Sequence, residues 1–109
     1  MTNNLKEIYK LIDLKKGDNI TVLDFRKHSA FVDYYIVASA RNSRLAKAII
    51  DEVEDYCELN DINIKSKDVS RDSKWLYIDT GDIVVHIFVD DERVKYNLDG
   101  LWKDLIIEI

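Results

Sequence analysis

Between residues 5 and 12 the apolar positions Leu5, Ile8, Tyr9 and Ile12 recur at steps of three, one and three, the spacing of a helix that buries one face. Asn4 followed by Glu7 has the form of a capping box at its start, and Gly17 stops it. Residues 20–25 and 33–40 are apolar, β-branched runs of strand length, so two strands are expected. The polar stretch 26–32, with Lys27, His28 and Ser29, turns between them. Ser43 is then placed to cap a second helix whose inner face is Leu45, Ile49, Val53 and Tyr56 and whose outer face is Asp51, Glu52, Asp55 and Glu58. Ile62 and Ile64 flank a short extended segment.

The clearest pattern spans residues 75–89, two apolar runs separated by Asp79-Thr80-Gly81-Asp82, which predicts a β-hairpin. With Thr80 and Gly81 as a two-residue turn, Asp79 faces Asp82, Tyr77 faces Val84 and Trp75 faces His86. Leu76, Ile78, Ile83, Val85 and Ile87 then share a wholly aliphatic face that must be core. The opposite face carries Trp75, Tyr77, Asp79, Asp82, Val84 and His86: two aromatics, an imidazole and two carboxylates around one valine. Leu98, Leu101, Trp102 and Leu105 return to helical spacing, with Asn97 as cap, so a packed terminal helix with Trp102 in the core is expected. The alternation of elements predicts an α/β domain with a mixed sheet of about five strands packed with helices.

A chain of 109 residues has room for one domain, 1–109, with one core, and an apolar fraction of 47% excludes a disordered chain. The 16 basic and 21 acidic side chains give a net charge of −5, which argues against a protein that tracks phosphate backbones or reads nucleic acid directly. The excess is local: residues 79–109 hold eight acidic side chains against three basic ones. That third of the chain would be steered toward a basic protein surface or a cation. Cys57 is the single cysteine, so no intrachain disulfide forms and a cytoplasmic location is expected. The charged first dozen residues do not read as a signal peptide, and no apolar run approaches the ~20 residues of a membrane span.

Catalytic signatures are sparse. Ser29 beside His28 lacks a nucleophile elbow, and three isolated glycines build neither a P-loop nor a dinucleotide-binding turn. Nucleotidyl transfer calls for paired acids on a strand to hold divalent metal, but the chain has Asp33-Tyr34-Tyr35 at the corresponding place. Asp90, Asp91 and Glu92 follow a strand end and suit the positive end of the next helix better than a metal. Cys57 sits on an apolar helix face and reads as core, and His86 reads as a hydrogen-bonded structural or interface residue. The Trp75 and Tyr77 face has the composition of a protein-interface centre.

The chain resembles the ribosomal silencing factors, the Iojap or RsfS family, over nearly its whole length. The resemblance rests on Val22-Leu23-Asp24, Ser29, Asp33-Tyr34-Tyr35-Ile36-Val37-Ala38-Ser39 and Ser43-Arg44. Its most specific pieces are Trp75-Leu76-Tyr77-Ile78-Asp79-Thr80-Gly81-Asp82-Ile83-Val84-Val85-His86-Ile87-Phe88 and Tyr96-Asn97-Leu98-Asp99-Gly100-Leu101-Trp102. The chain departs from the family pattern at 67–73, where a glycine-containing segment is usual. The resemblance implies a nucleotidyltransferase-like topology without the catalytic acids, no enzyme activity and no cofactor or metal. It also implies binding to the large ribosomal subunit through that subunit's protein fourteen, which blocks joining of the small subunit and represses translation when nutrients are short.

On that basis Trp75 and Tyr77 are expected to anchor the partner, Val84 to fill between them, Asp79 and Asp82 to pair with Lys or Arg, and His86 to hydrogen-bond. The rival is a residual metal-dependent nucleotidyltransferase-like enzyme built on Asp33, Asp82 and Asp90. A third expectation, compatible with the first, is a homodimer formed through the aromatic face.

Overall fold

The computed structural model describes residues 2–70, 72–89 and 91–109. The first helix, α1 (Thr2–Leu14), buries Leu5, Ile8 and Ile12 as the spacing predicts. Asn4 does not cap it. It lies inside the first turn, and its Oδ1 accepts a hydrogen bond from the Tyr56 hydroxyl at 2.7 Å, tying α1 to the second helix. Gly17 closes the helix, its N–H donating to the Ile12 carbonyl at 2.8 Å, and a side chain there would collide with Ile12.

β1 (Asp18–Asp24) and β2 (Tyr34–Ala40) are the two expected strands, antiparallel to each other. The second helix, α2 (Ser43–Leu59), is capped by Asn42 and not by Ser43: Asn42 is extended, and its Oδ1 accepts the Leu45 N–H at 2.8 Å. A cap must stand outside the helical backbone with its oxygen reaching back to the third residue on, and Ser43 is already helical. The buried face is Ala46, Ile49, Ile50, Val53 and Cys57, with Leu45 and Tyr56 at its margins.

β3 (Ser66–Asp68) lies just beyond the segment marked by Ile62 and Ile64, whose side chains pack on the core ahead of it. β4 (Trp75–Asp79) and β5 (Ile83–Val89) form the hairpin, but in a register two residues from the expected one. Asp79 faces Val84, Tyr77 faces His86 and Trp75 faces Phe88. The turn sits one residue further along than expected: the Thr80 N–H and hydroxyl both donate to the Ile83 carbonyl at 2.9 Å, which leaves Gly81, at φ 97°, and Asp82 between the strands. An even shift leaves the side chains within the strands on their predicted faces, but it moves Asp82 out of the pairing and into the turn.

The sheet runs β3-β4-β5-β2-β1-β6, where β6 (Ile106–Ile107) is a two-residue strand paired with Val22 and Leu23. It brings the count to six, and a strand so short leaves no periodicity to read. The β2–β5 pair is parallel and the others are antiparallel, so the sheet is mixed as predicted. Both long helices cover one face, where Ile36, Leu76, Ile78, Val85 and Ile87 join the main core. A smaller cluster of Leu23, Phe25, Val37 and Phe88 lies on the other.

The end of the chain is not one packed helix. It breaks into α3 (Glu92–Tyr96), α4 (Leu98–Leu101) and a 3₁₀ turn, Lys103–Leu105. Asn97 sits between α3 and α4 in the left-handed region, φ 51° and ψ 45°, a conformation asparagine tolerates and a continuous helix cannot contain. Leu98 and Leu105 are half-buried against the smaller cluster, whereas Leu101 is 67% and Trp102 39% exposed. Trp102 is thus a surface residue and not core. No helix among the described residues is long and apolar enough to cross a membrane.

Candidate functional site

Alternation along β4 and β5 brings Trp75, Tyr77, Asp79, Val84 and His86 to one side of the sheet, as expected. The parallel register adds Tyr35 of β2, which stands opposite Val84. Ser73 sets the entry to β4: its hydroxyl accepts the Trp75 N–H at 3.2 Å and donates to the Trp75 carbonyl at 2.8 Å.

The rings form a continuous row. His86 lies 4.5 Å from Tyr35, edge-on, and 6.5 Å from Tyr77. Tyr35 reaches Phe25 at 4.6 Å, and Phe25 meets Trp102 at 5.4 Å in a T-shape. Trp75 stacks on Phe88 at 5.2 Å and touches Tyr96 of α3 at 4.5 Å. Such offset and edge contacts hold ring orientations more firmly than aliphatic packing does. Beside Trp75 and Tyr77 an open recess of about 270 Å³ is bordered by Asp68, Glu92 and Tyr96.

His86 works inward. It is only 6% exposed, and its Nδ1 accepts a hydrogen bond from the Trp75 indole N–H at 3.0 Å. That bond places the proton of the neutral ring on Nε2, and burial pushes the imidazole down to about 4. The side chain braces Trp75 from beneath and stays uncharged near neutral pH; the expected hydrogen bond is made within the chain.

The two predicted acidic partners separate. Asp79 remains on the aromatic side, with Oδ1 accepting the Gly81 N–H at 2.8 Å. Asp82 lies in the hairpin connection, exposed, and its carbonyl accepts the N–H groups of Asp33 and Tyr34 at 2.8 and 3.0 Å. Asp33 and Asp82 share a small recess of about 120 Å³ that is bordered by Asn4 and Ile8 of α1, away from Trp75. Asp90, the third acid of the rival reading, is outside the described residues, and no three potential metal ligands cluster among those that are described.

Other candidates resolve into structural roles. Ser29 Oγ accepts the N–H groups of Phe31 and Val32 at 3.0 and 3.2 Å, a turn-forming arrangement. Asp91 and Glu92 stand at the N-terminus of α3. Cys57 is fully buried, and burial pushes its thiol up to about 11. Tyr35, Tyr96 and Trp102 are the aromatic residues that the hairpin alone does not reveal. Alternation along β2 separates Tyr35 from Tyr34, but only the parallel pairing puts it beside Val84. Asn97 and Gly100 are the available signals that the Trp102 helix is broken.

The family model described as "Ribosomal silencing factor during starvation" matches residues 1–108. Ribosomal silencing factor RsfS of Bacillus subtilis is 34% identical over 105 residues, covering 93% of this chain and 89% of the relative. The chloroplastic protein Iojap of Zea mays is 32% identical over 87 residues, covering 80% of this chain and 38% of that longer protein. A crystal structure of a Chromobacterium violaceum protein superposes with a TM-score of 0.86 at 26% identity, covering 94% of this chain and 86% of that one. A Bacillus halodurans crystal structure gives the same TM-score at 28% identity with complete coverage of both chains.

Proposed function

The chain belongs to the ribosomal silencing factor family, and from that premise we propose that it binds the large ribosomal subunit through that subunit's protein fourteen, bars the small subunit from joining, and so represses translation under nutrient limitation. It acts in the cytoplasm as one domain, by occupancy and not by catalysis, with no cofactor.

The observation that carries this reading is the row of partly exposed rings along one side of the sheet, Tyr35, Trp75, Tyr77 and Trp102. Rigid aromatic groups offer large apolar area at low entropic cost, and a few of them supply most of the affinity of a protein interface. The acidic side chains beside them, Asp68 and Asp79, favour a partner rich in Lys and Arg, while Glu92 is already paired with Lys95 at 3.2 Å. Asp82, displaced toward α1, would meet that partner only at its margin. Repression then requires no further chemistry: a body of 33 × 32 × 23 Å seated on the joining surface excludes a second particle.

Cosedimentation with isolated large subunits, small subunits and joined ribosomes tests the reading. Recovery with large subunits alone, weakened by rising salt, is expected. Recovery with small subunits, or with no particle, would refute it. Self-association through the same face predicts a dimer that large subunits dissociate, which sedimentation velocity reads directly.

A further inference from the structure

We propose that Arg93 is a positioning residue for docking, a latch that fastens the C-terminal segment across the sheet and holds Tyr96 and Trp102 in one surface with Trp75 and Tyr77. The inference rests on the docking reading above and names the residue that shapes that site.

Arg93 leaves the short helix α3 and reaches three elements at once. Its Nη1 donates to Ser39 Oγ of β2 at 3.1 Å, and its Nη2 donates to Thr21 Oγ1 of β1 at 3.0 Å and to Asp99 Oδ2 of α4 at 2.9 Å. The guanidinium side chain is 12% exposed. Ser39 and Thr21 stand on the same side of the sheet as Val37 and Phe88, beside the smaller apolar cluster. The left-handed turn at Asn97 is what returns Asp99 to Arg93, and Gly100 lets that turn close, because a side chain at 100 would collide with that of Asn97.

The rest of the segment holds weakly. None of α3, α4 or the 3₁₀ turn contains a buried residue, and Leu98 and Leu105 are only half-covered. Segments with few buried apolar contacts open most easily, so a charged donor with three acceptors in a sparsely wetted place dominates their attachment. A planar fork suits acceptors on three different elements, whereas the compact ammonium of lysine does not span them. Three aromatic contacts depend on where this segment lies: Tyr96 on Trp75 and on Phe88, and Trp102 on Phe25. Arg93 therefore touches no partner yet decides whether the row of rings is one surface or two.

The test pairs amide hydrogen exchange on the free protein with cosedimentation on large subunits, for Arg93→Met, Arg93→Lys, Asp99→Asn and a control, Val53→Ala, buried in the main core under the opposite face. Arg93→Met is expected to speed exchange over residues 92–105 and to weaken binding, each by about tenfold or more, while α2 exchanges as before. Arg93→Lys and Asp99→Asn fall between it and the wild type. Val53→Ala lowers the melting temperature but leaves binding within about twofold, which separates positioning from general stability. Faster exchange with unchanged binding would overturn the proposal, as would unchanged exchange. Wild-type protein that fails to bind large subunits refutes the docking reading itself, a failure distinguishable because exchange is read without ribosomes.

Discussion

The two faces of the sheet are built from the same strands and differ in almost every other respect. Toward α1 and α2, the strands present Val22, Ile36, Ile78, Val85 and Ile87, all buried. One residue along, they present Leu23, Tyr35, Tyr77, Val84 and His86 to a side that short helical turns only partly cover. The aliphatic face satisfies close packing, where any missing methyl leaves a void. The aromatic face trades some burial for orientation, with rings locked by one another and by one indole–imidazole hydrogen bond. Stability and recognition can therefore be perturbed separately.

The largest separation comes from the core. Ile49→Ala, on α2, should destabilise the fold by about 2–5 kcal/mol in urea unfolding, while the folded fraction binds subunits normally. The aromatic face has its own stability signature through His86. In the unfolded chain this imidazole takes a proton near pH 6.5, but in the fold only near 4, so the unfolded chain binds more protons between those values. Stability should fall by about 3 kcal/mol as pH drops through that window, and none of this loss should continue below it. His86→Phe removes that limb of the pH profile, and the difference between the two profiles isolates it from the titrating carboxylates.

Tyr77→Ala sharpens the contrast from the other side. Tyr77 is half-exposed and touches its ring neighbours only distantly, so it should cost little stability but about 2 kcal/mol of subunit affinity in a binding isotherm. Trp75→Ala should cost more than about 2 kcal/mol of affinity and destabilise as well, since the indole also braces His86 and Phe88. Lys6→Ala, exposed on α1, should change either property by less than about 0.5 kcal/mol.

Much of the aliphatic face was legible in the sequence, because helical and alternating periodicities report burial directly. The hairpin faces are legible for the same reason, though their register is not: a two-residue slip preserves alternation, and hydrogen bonding of Thr80 to Ile83 sets the turn's position. Parallel pairing of β2 with β5 joins segments far apart in the chain and leaves no local trace, so the sequence does not place Tyr35 beside the hairpin. The Trp102 segment is not legible because spacing alone does not distinguish a helix from successive turns broken at a left-handed Asn97. The family resemblance was carried by contiguous motifs and needed no tertiary information.

Hydroxyl-radical footprinting of the protein, free and bound to isolated large subunits, reads side-chain exposure residue by residue and reaches the docking face most directly. Protection of Tyr77, Trp75 and Trp102, with Leu14 and Leu59 at the ends of α1 and α2 as reactive as in the free protein, is the expected result. Protection of the helical side with the aromatic row left open would contradict it.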